Sequence, residues 1–219
     1  MADFFREVDE DVRRDQLIDI WKRYQNWIIG AAILVVLGTA GWRFFDYQRL
    51  KGAEAAGARY AAAEQLLSAG KNAEAAAAFA AVAKDAPAGY ATLAQLSRAD
   101  ALAGKDPKAG IAAYDEVVAN AAVDPAYQEV ARLRGAYLRV DSDDPKAFEQ
   151  RYAAYAGPDS PYRNAYRELL ALADTRRGDF EAAAHWFELA AADPSSPPAL
   201  RARADAFLTI VQAGPVPTK

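Results

Sequence analysis

The sequence predicts an all-α chain with one helix able to cross a membrane near its start, followed by an array of about four helix pairs closed by a cap helix. Three observations lead there. Alanine supplies 54 of the 219 residues, and it is both the strongest helix former and small enough to let helices pack closely. A charge-free run from Tyr24 to Trp42 interrupts an otherwise well-charged chain. Beyond it, turn-forming clusters recur at a nearly constant period. Composition removes the main alternatives. With no cysteine and one histidine there is no disulfide or zinc scaffold. An apolar content of 53% argues against disorder. Lys+Arg total 26 against 30 Asp+Glu, a net charge of -4 that repels phosphates and excludes nucleic acid as the natural partner.

Residues 1–23 form a charged tail with Val8, Val12, Ile18, Ile20 and Trp21 spaced in a partly amphipathic pattern. It reads as a short solvated helix leading into the span, with Phe4 and Phe5 free to meet a bilayer surface or a partner. Residues 24–42 are the membrane anchor. Their 19 residues reach roughly 28 Å at the helical rise, close to the hydrocarbon thickness of a bilayer. Trp27 and Trp42 stand near the two ends, where amphipathic rings prefer the headgroup level, and Lys22-Arg23 and Arg43 bound the run. A buried core helix rarely carries basic residues and tryptophans at both ends. A cleaved signal peptide is the other reading, with Gly38-Thr39-Ala40 as its processing site. Against it, the preceding region is 23 residues long with seven acids, and the apolar run continues to Trp42. Orientation is almost undetermined by charge. Arg6, Arg13, Arg14, Lys22 and Arg23 precede the span and Arg43, Arg49, Lys51 and Arg59 follow it, barely favouring an inside N-terminus.

Residues 43–219 carry the repeats. Few breakers interrupt Arg43 to Leu67, so the membrane helix is expected to run on into water. Turns then fall at Gly70-Lys71-Asn72, Gly104-Lys105-Asp106-Pro107, Asp143-Asp144-Pro145 and Gly178-Asp179-Phe180, and the positions Asn72, Asp106, Asp144 and Asp179 are spaced 34, 38 and 35. Pro87, Pro125, Pro161 and Pro194 interleave at 38, 36 and 33. Two series of stops with one period describe a helix-turn-helix unit used four times. Asp106, Asp124, Asp144 and Ser160 each precede a proline, placing an N-cap acceptor before a residue whose missing N–H costs nothing. Gly70, Gly104 and Gly178 are expected to close the preceding helices in the left-handed conformation. In the second helices, small residues lead to an aromatic from Ala75 to Phe79, Ala109 to Tyr114 and Ala182 to Trp186-Phe187. The third unit, with Arg151-Tyr152 at that place, is degenerate. Ala199 to Val211 has the length and pattern of a solvating cap. The stretch Gly178 to Ala183 resembles the turn of a tetratricopeptide repeat, and Gly104 to Ala109 does so more weakly.

Catalytic constellations are absent from the sequence. His185 has no second histidine or cysteine to work with, Asp141-Ser142-Asp143-Asp144 is followed by Pro145-Lys146 where a calcium loop needs ligands, and the glycines are isolated helix stops. No catalytic residue, metal site or cofactor is predicted. Binding surface remains. The first helix of each pair lines the concave face of such an array. Here those helices hold Tyr60, Tyr90 and Arg98, then Tyr127, Arg132, Arg134 and Tyr137, then Tyr162, Arg163, Tyr166 and Arg167. Tyr and Arg are the residues most able to hold both apolar and polar chain. Tyr90, Arg98, Tyr127, Arg134, Tyr137, Tyr162, Arg163 and Tyr166 are the candidate protein-binding set, with packing between stacked helices as the competing role for any one aromatic.

The order of parts resembles the bacterial YfgM-like family of ancillary SecYEG translocon subunits. Gly41-Trp42-Arg43-Phe44-Phe45, the tail stretch Arg14 to Arg23 and the turn Gly178 to Ala183 carry the resemblance over nearly the whole chain. It implies a single-pass inner-membrane protein with a cytoplasmic N-terminus and a periplasmic, non-enzymatic tetratricopeptide-like domain. It also implies SecYEG, a membrane-anchored periplasmic peptidyl-prolyl isomerase, exported polypeptides and membrane lipid as partners. A chain without cysteine suits an oxidising compartment. An envelope scaffold or regulatory adaptor, acting through the tail or in outer-membrane assembly, stays open as the other function class.

Overall fold

The computed structural model describes the backbone of residues 2–214 and the side chains of residues 21–214. The side chains of Phe4, Phe5 and the rest of the early tail, and the last residues of the 43–219 segment, lie outside it. Among the described residues there are nine α-helices and no strand. The first, α1, runs Ala2–Ser68. The chain divides into two compact units, Met1–Glu54 and Ala55–Lys219.

In the first unit the charge-free run is exposed along its length: Trp27 is 80%, Leu34 72% and Trp42 74% exposed. Trp21–Ser68 contains a stretch long and apolar enough to cross a membrane, with 0% of it buried. A helix serving as a soluble core would hide those side chains.

The second unit is a stack of helix pairs. The end of α1 pairs with α2 (Asn72–Asp85), α3 (Ala88–Ala103) with α4 (Pro107–Ala119), α5 (Pro125–Arg139) with α6 (Pro145–Tyr152), and α7 (Arg163–Arg177) with α8 (Phe180–Ala192); α9 (Pro198–Ala213) closes the array. Four apolar clusters hold it, each joining one pair to the first helix of the next. They centre on Phe79, on Tyr114, on Tyr152 with Tyr166, and on Phe187. Contacts restricted to neighbours are what make a solenoid.

Local chemistry sets most boundaries. The Asp106 carboxylate accepts from the Lys108 N–H at 3.0 Å, Asp124 from Ala126 at 2.8 Å and Asp144 from Lys146 and Ala147 at 3.1 and 3.0 Å, each ahead of a proline. Asp179 caps α8 through the Ala182 N–H at 3.1 Å. Ser160 departs from this pattern. Its hydroxyl is buried without a partner, and α7 begins only after Tyr162, because a turn closes from the Ser160 N–H onto the Gly157 carbonyl. Gly70 and Gly178 adopt the expected positive φ, 74° and 80°. Gly104 does not: its φ is -64°, and a Cβ there would stand 2.5 Å from the side-chain Nδ2 of Asn72, which would have to shift.

One residue seven places into each second helix sets the register: Phe79, Tyr114, Tyr152 and Phe187, exposed by 0, 2, 2 and 0%. Four residues earlier stand Ala75, Gly110, Phe148 and Ala183. The third unit therefore keeps its aromatic and loses the small residue before it. Phe148 packs face-tilted on Tyr152 with ring centroids 4.6 Å apart, and α6 gives way after Tyr152 to a 3₁₀ turn, Ala153–Ala156.

Candidate protein-binding face

First helices of successive pairs lie side by side, α3 against α5, α5 against α7 and α7 against α9. Polar side chains join α1 to α3, α3 to α5 and α7 to α9. The Tyr60 and Ser97 hydroxyls are 2.8 Å apart, joining α1 to α3. Arg134 Nη1 on α5 donates to Asp100 Oδ2 on α3 at 2.6 Å. Arg203 on α9 donates twice to Glu168 on α7, from Nε at 2.8 Å and from Nη2 at 2.9 Å. Each link spans roughly one repeat of sequence, so the ladder is a product of the stacking itself.

In the middle of this face Asp100, Ala103, Tyr114, Arg134, Tyr137 and Leu138 line an open recess of about 240 Å³. Tyr114 reaches it from α4 and donates its hydroxyl to the second Asp100 oxygen. Burial, and then that hydrogen bond, push the Tyr114 phenol well above the usual tyrosine range. Burial pulls the Arg134 guanidinium down, but Asp100 and Tyr114 more than offset it and its pKa lies above the ordinary value. Neither group changes charge near neutrality, so the recess is a fixed pattern of donors and acceptors. Arg134 and Asp100 keep 47% and 41% of their side chains exposed. A pair this solvated adds only about 0–1 kcal/mol to stability and leaves hydrogen-bonding capacity open to a ligand.

The structure sorts the sequence candidates. Tyr127, Arg134 and Tyr137 share the open part of α5: Tyr127 lies two turns before Arg134 on one stripe, and Tyr127 and Tyr137 are 38% and 43% exposed. Burial first, then the nearby Glu168 carboxylate, raise the Tyr137 phenol. Tyr90 instead packs inward, its ring centroid 6.2 Å from that of Tyr60 and its hydroxyl 2.8 Å from where a Cβ on Gly57 would stand. Arg98 turns to its own second helix and pairs with Glu116 at 2.9 Å. Tyr162 is half-buried against the third core. Arg163 staples α7 to the α8–α9 loop through Asp193, at 2.7 and 3.1 Å, and Ser195, at 2.6 Å. Arg163, then Ser195, hold the Asp193 carboxyl far below the usual range. Tyr166 is 0% exposed, stacked 5.9 Å from Tyr152, and offers nothing to a partner.

Asp100 and Arg203 complete the face, with Glu168 buried beneath Arg203, and residue type alone did not mark them. Their sequence signal is a carboxylate answered by an arginine one repeat later, Asp100 by Arg134 and Glu168 by Arg203. Among the described residues no group of His, Cys, Asp or Glu is arranged to hold a metal, and His185 is an exposed residue of α8 beside Trp186.

No curated protein and no solved structure matches the chain. A family model, the tetratricopeptide repeat-like domain, matches residues 19–190, taking in the apolar run and reaching into the fourth helix pair. The laced helix pairs, the repeated aromatic and this match together mean that the chain belongs to the tetratricopeptide repeat-like domain family, and its second unit is a protein-interaction module.

Proposed function

We propose that the protein is a membrane-anchored, non-enzymatic binding module of the bacterial inner membrane, with its N-terminus cytoplasmic and its repeats in the periplasm, working beside the SecYEG translocon. In this role it meets exported polypeptides together with a membrane-anchored peptidyl-prolyl isomerase. The observation that carries the reading is the exposed, charge-free run ending at Trp42, which shares α1 with the first helix of a protein-binding array. A solvent-facing stretch of this length and hydropathy has its natural environment in hydrocarbon. Tethering then raises the local concentration of the repeats, so weak contacts at the Tyr127, Arg134 and Tyr137 face suffice to hold emerging chain. Resemblance to the YfgM-like family in the tail and around Trp42 supports the translocon as the place.

The test is co-purification of tagged full-length protein from native membranes in mild detergent, after crosslinking in cells, with mass spectrometry of what is retained. Recovery of SecY with an anchored isomerase, lost when the span is exchanged or the repeats deleted, is the expected result. Retention of a regulator or an outer-membrane assembly complex without SecY replaces the translocon reading with the adaptor.

A further inference from the structure

We propose that residues 42–51 form a collar at the carboxyl end of the span that selects anionic phospholipid headgroups. This rests on the reading of α1 as a bilayer-crossing helix and concerns what that helix does where it leaves the hydrocarbon.

Trp42, Phe44, Phe45, Tyr47 and Leu50 are 74, 66, 64, 55 and 58% exposed. At 3.6 residues per turn they point in all directions around the helix. A helix lying in the membrane plane, or packed on a protein, has an apolar stripe and a polar one. This segment has neither. Aromatic rings on every side suit a helix passing upright through the interfacial layer, where amphipathic rings gather.

The same ten residues hold Arg43, Arg49 and Lys51 against one acid, Asp46, leaving two net positive charges. Helical side chains lean toward the N-terminus, here toward the span. The geometry follows that lean. The Arg49 guanidinium lies 6.0 Å from the Phe45 ring centroid and the Lys51 ammonium 4.7 Å from that of Tyr47. Although the Arg49 and Lys51 backbones stand about 10–14 Å beyond Trp42 along the axis, their charges are drawn back to the level of the aromatics. Each ring occupies one side of its cation, and the remaining donors stay open to phosphate. At the other end of the run the same lean carries Lys22 and Arg23 away from the hydrocarbon, so the two ends differ. Charge complementarity with anionic headgroups is the consequence, at roughly a fivefold preference for each cation close to the surface.

The experiment reconstitutes the full-length protein in phosphatidylcholine vesicles containing a trace of spin-labelled phosphatidylglycerol or spin-labelled phosphatidylcholine. The immobilised fraction of label gives their relative association. Phosphatidylglycerol is expected to be preferred severalfold at low salt, and the preference to collapse in about 1 M salt, where the screening length is about 3 Å, and in Arg43→Gln/Arg49→Gln/Lys51→Gln. Equal association of the two lipids, or a preference that survives the triple change and is lost instead in Lys22→Gln/Arg23→Gln, overturns the collar. Flotation of the same vesicles after an alkaline wash separates the two ideas. Protein that floats without a lipid preference defeats the collar alone, and protein that does not float defeats the anchor on which it rests.

Discussion

Replacing Arg203 with alanine should loosen the cap helix by about 1–2 kcal/mol. Its partner Glu168 has a side chain only 5% exposed, whereas Arg203 itself is 51% exposed. Removing one member of a fully buried pair costs about 3–5 kcal/mol, because a charge is left without solvent or counter-ion. An exposed pair is worth about 0–1 kcal/mol. Here the carboxylate is enclosed but water reaches it from the arginine side once the guanidinium is gone, which puts the loss between the two limits. For a domain of this size a change of about 1 kcal/mol moves Tm by roughly 2–4 °C, so a fall of about 2–8 °C is expected. Leu200, Ala204 and Val211 of α9 remain packed with Phe187 and Ala190 of α8, so the helix should detach early on heating and not be lost at ambient temperature. Glu168→Leu combined with Arg203→Met removes both charges together and should recover most of the loss, since no buried carboxylate is stranded. The assay is thermal unfolding of the full chain in detergent, followed by helical circular dichroism. An Arg203→Ala melt superposed on the unmodified protein, or a double variant no more stable than the single, would refute the assignment of this pair as the link between α7 and α9.

Three further expectations concern other parts of the array. Gly110→Ala should destabilise by about 1–3 kcal/mol despite the better helix former, because a Cβ there meets the Ala103 Cβ at 2.4 Å and its Cα at 2.6 Å; chemical denaturation measures it, and an unchanged midpoint contradicts so close an approach of α3 and α4. Asp174 is 1% exposed, and burial, opposed by Arg177, raises its carboxyl to about 6. Folding thus favours its protonated form: the contribution is full below about pH 4 and is lost as pH rises to about 6, by up to about 3 kcal/mol, so Asp174→Asn should flatten the stability profile over that window, and parallel profiles would count against it. Tyr127→Ala with Arg134→Ala should weaken binding of a crosslinked client segment at least tenfold with little change in Tm, and unchanged binding would remove the α5 face from the proposed function.

What could be read from the sequence was what local chemistry decides. Asp106, Asp124, Asp144 and Asp179 cap through their own backbone two or three residues on, so their role is visible without knowing what the helix packs against. Ser160 looked equivalent, but the Gly157-Pro158 turn before it holds the chain away from a helical start, and α7 begins later. Gly104 takes an ordinary negative φ and lies against the Asn72 side chain of the previous pair, which no local rule reports. The face suffered from the same limit. Arg98 and Asp100 are two residues apart and so point to nearly opposite sides of α3. Residue type suggested the arginine; stacking selected the aspartate.

That selection bears on how the module can bind. Each of the four cores joins a pair to the first helix that follows, the third also taking Trp186 of α8, so apolar packing fixes neighbours and nothing beyond them. Ser97, Asp100, Arg134 and Arg203 keep part of their surface open along the first helices, with Glu168 buried beneath Arg203, and on the proposed function a bound segment would touch several first helices at once there. A ligand laid along these helices would couple repeats that the cores leave independent, and at free concentration c would stabilise the array by RT ln(1 + c/Kd). On the proposed function, the anchored module would gain order across several repeats when a passing chain occupies this face.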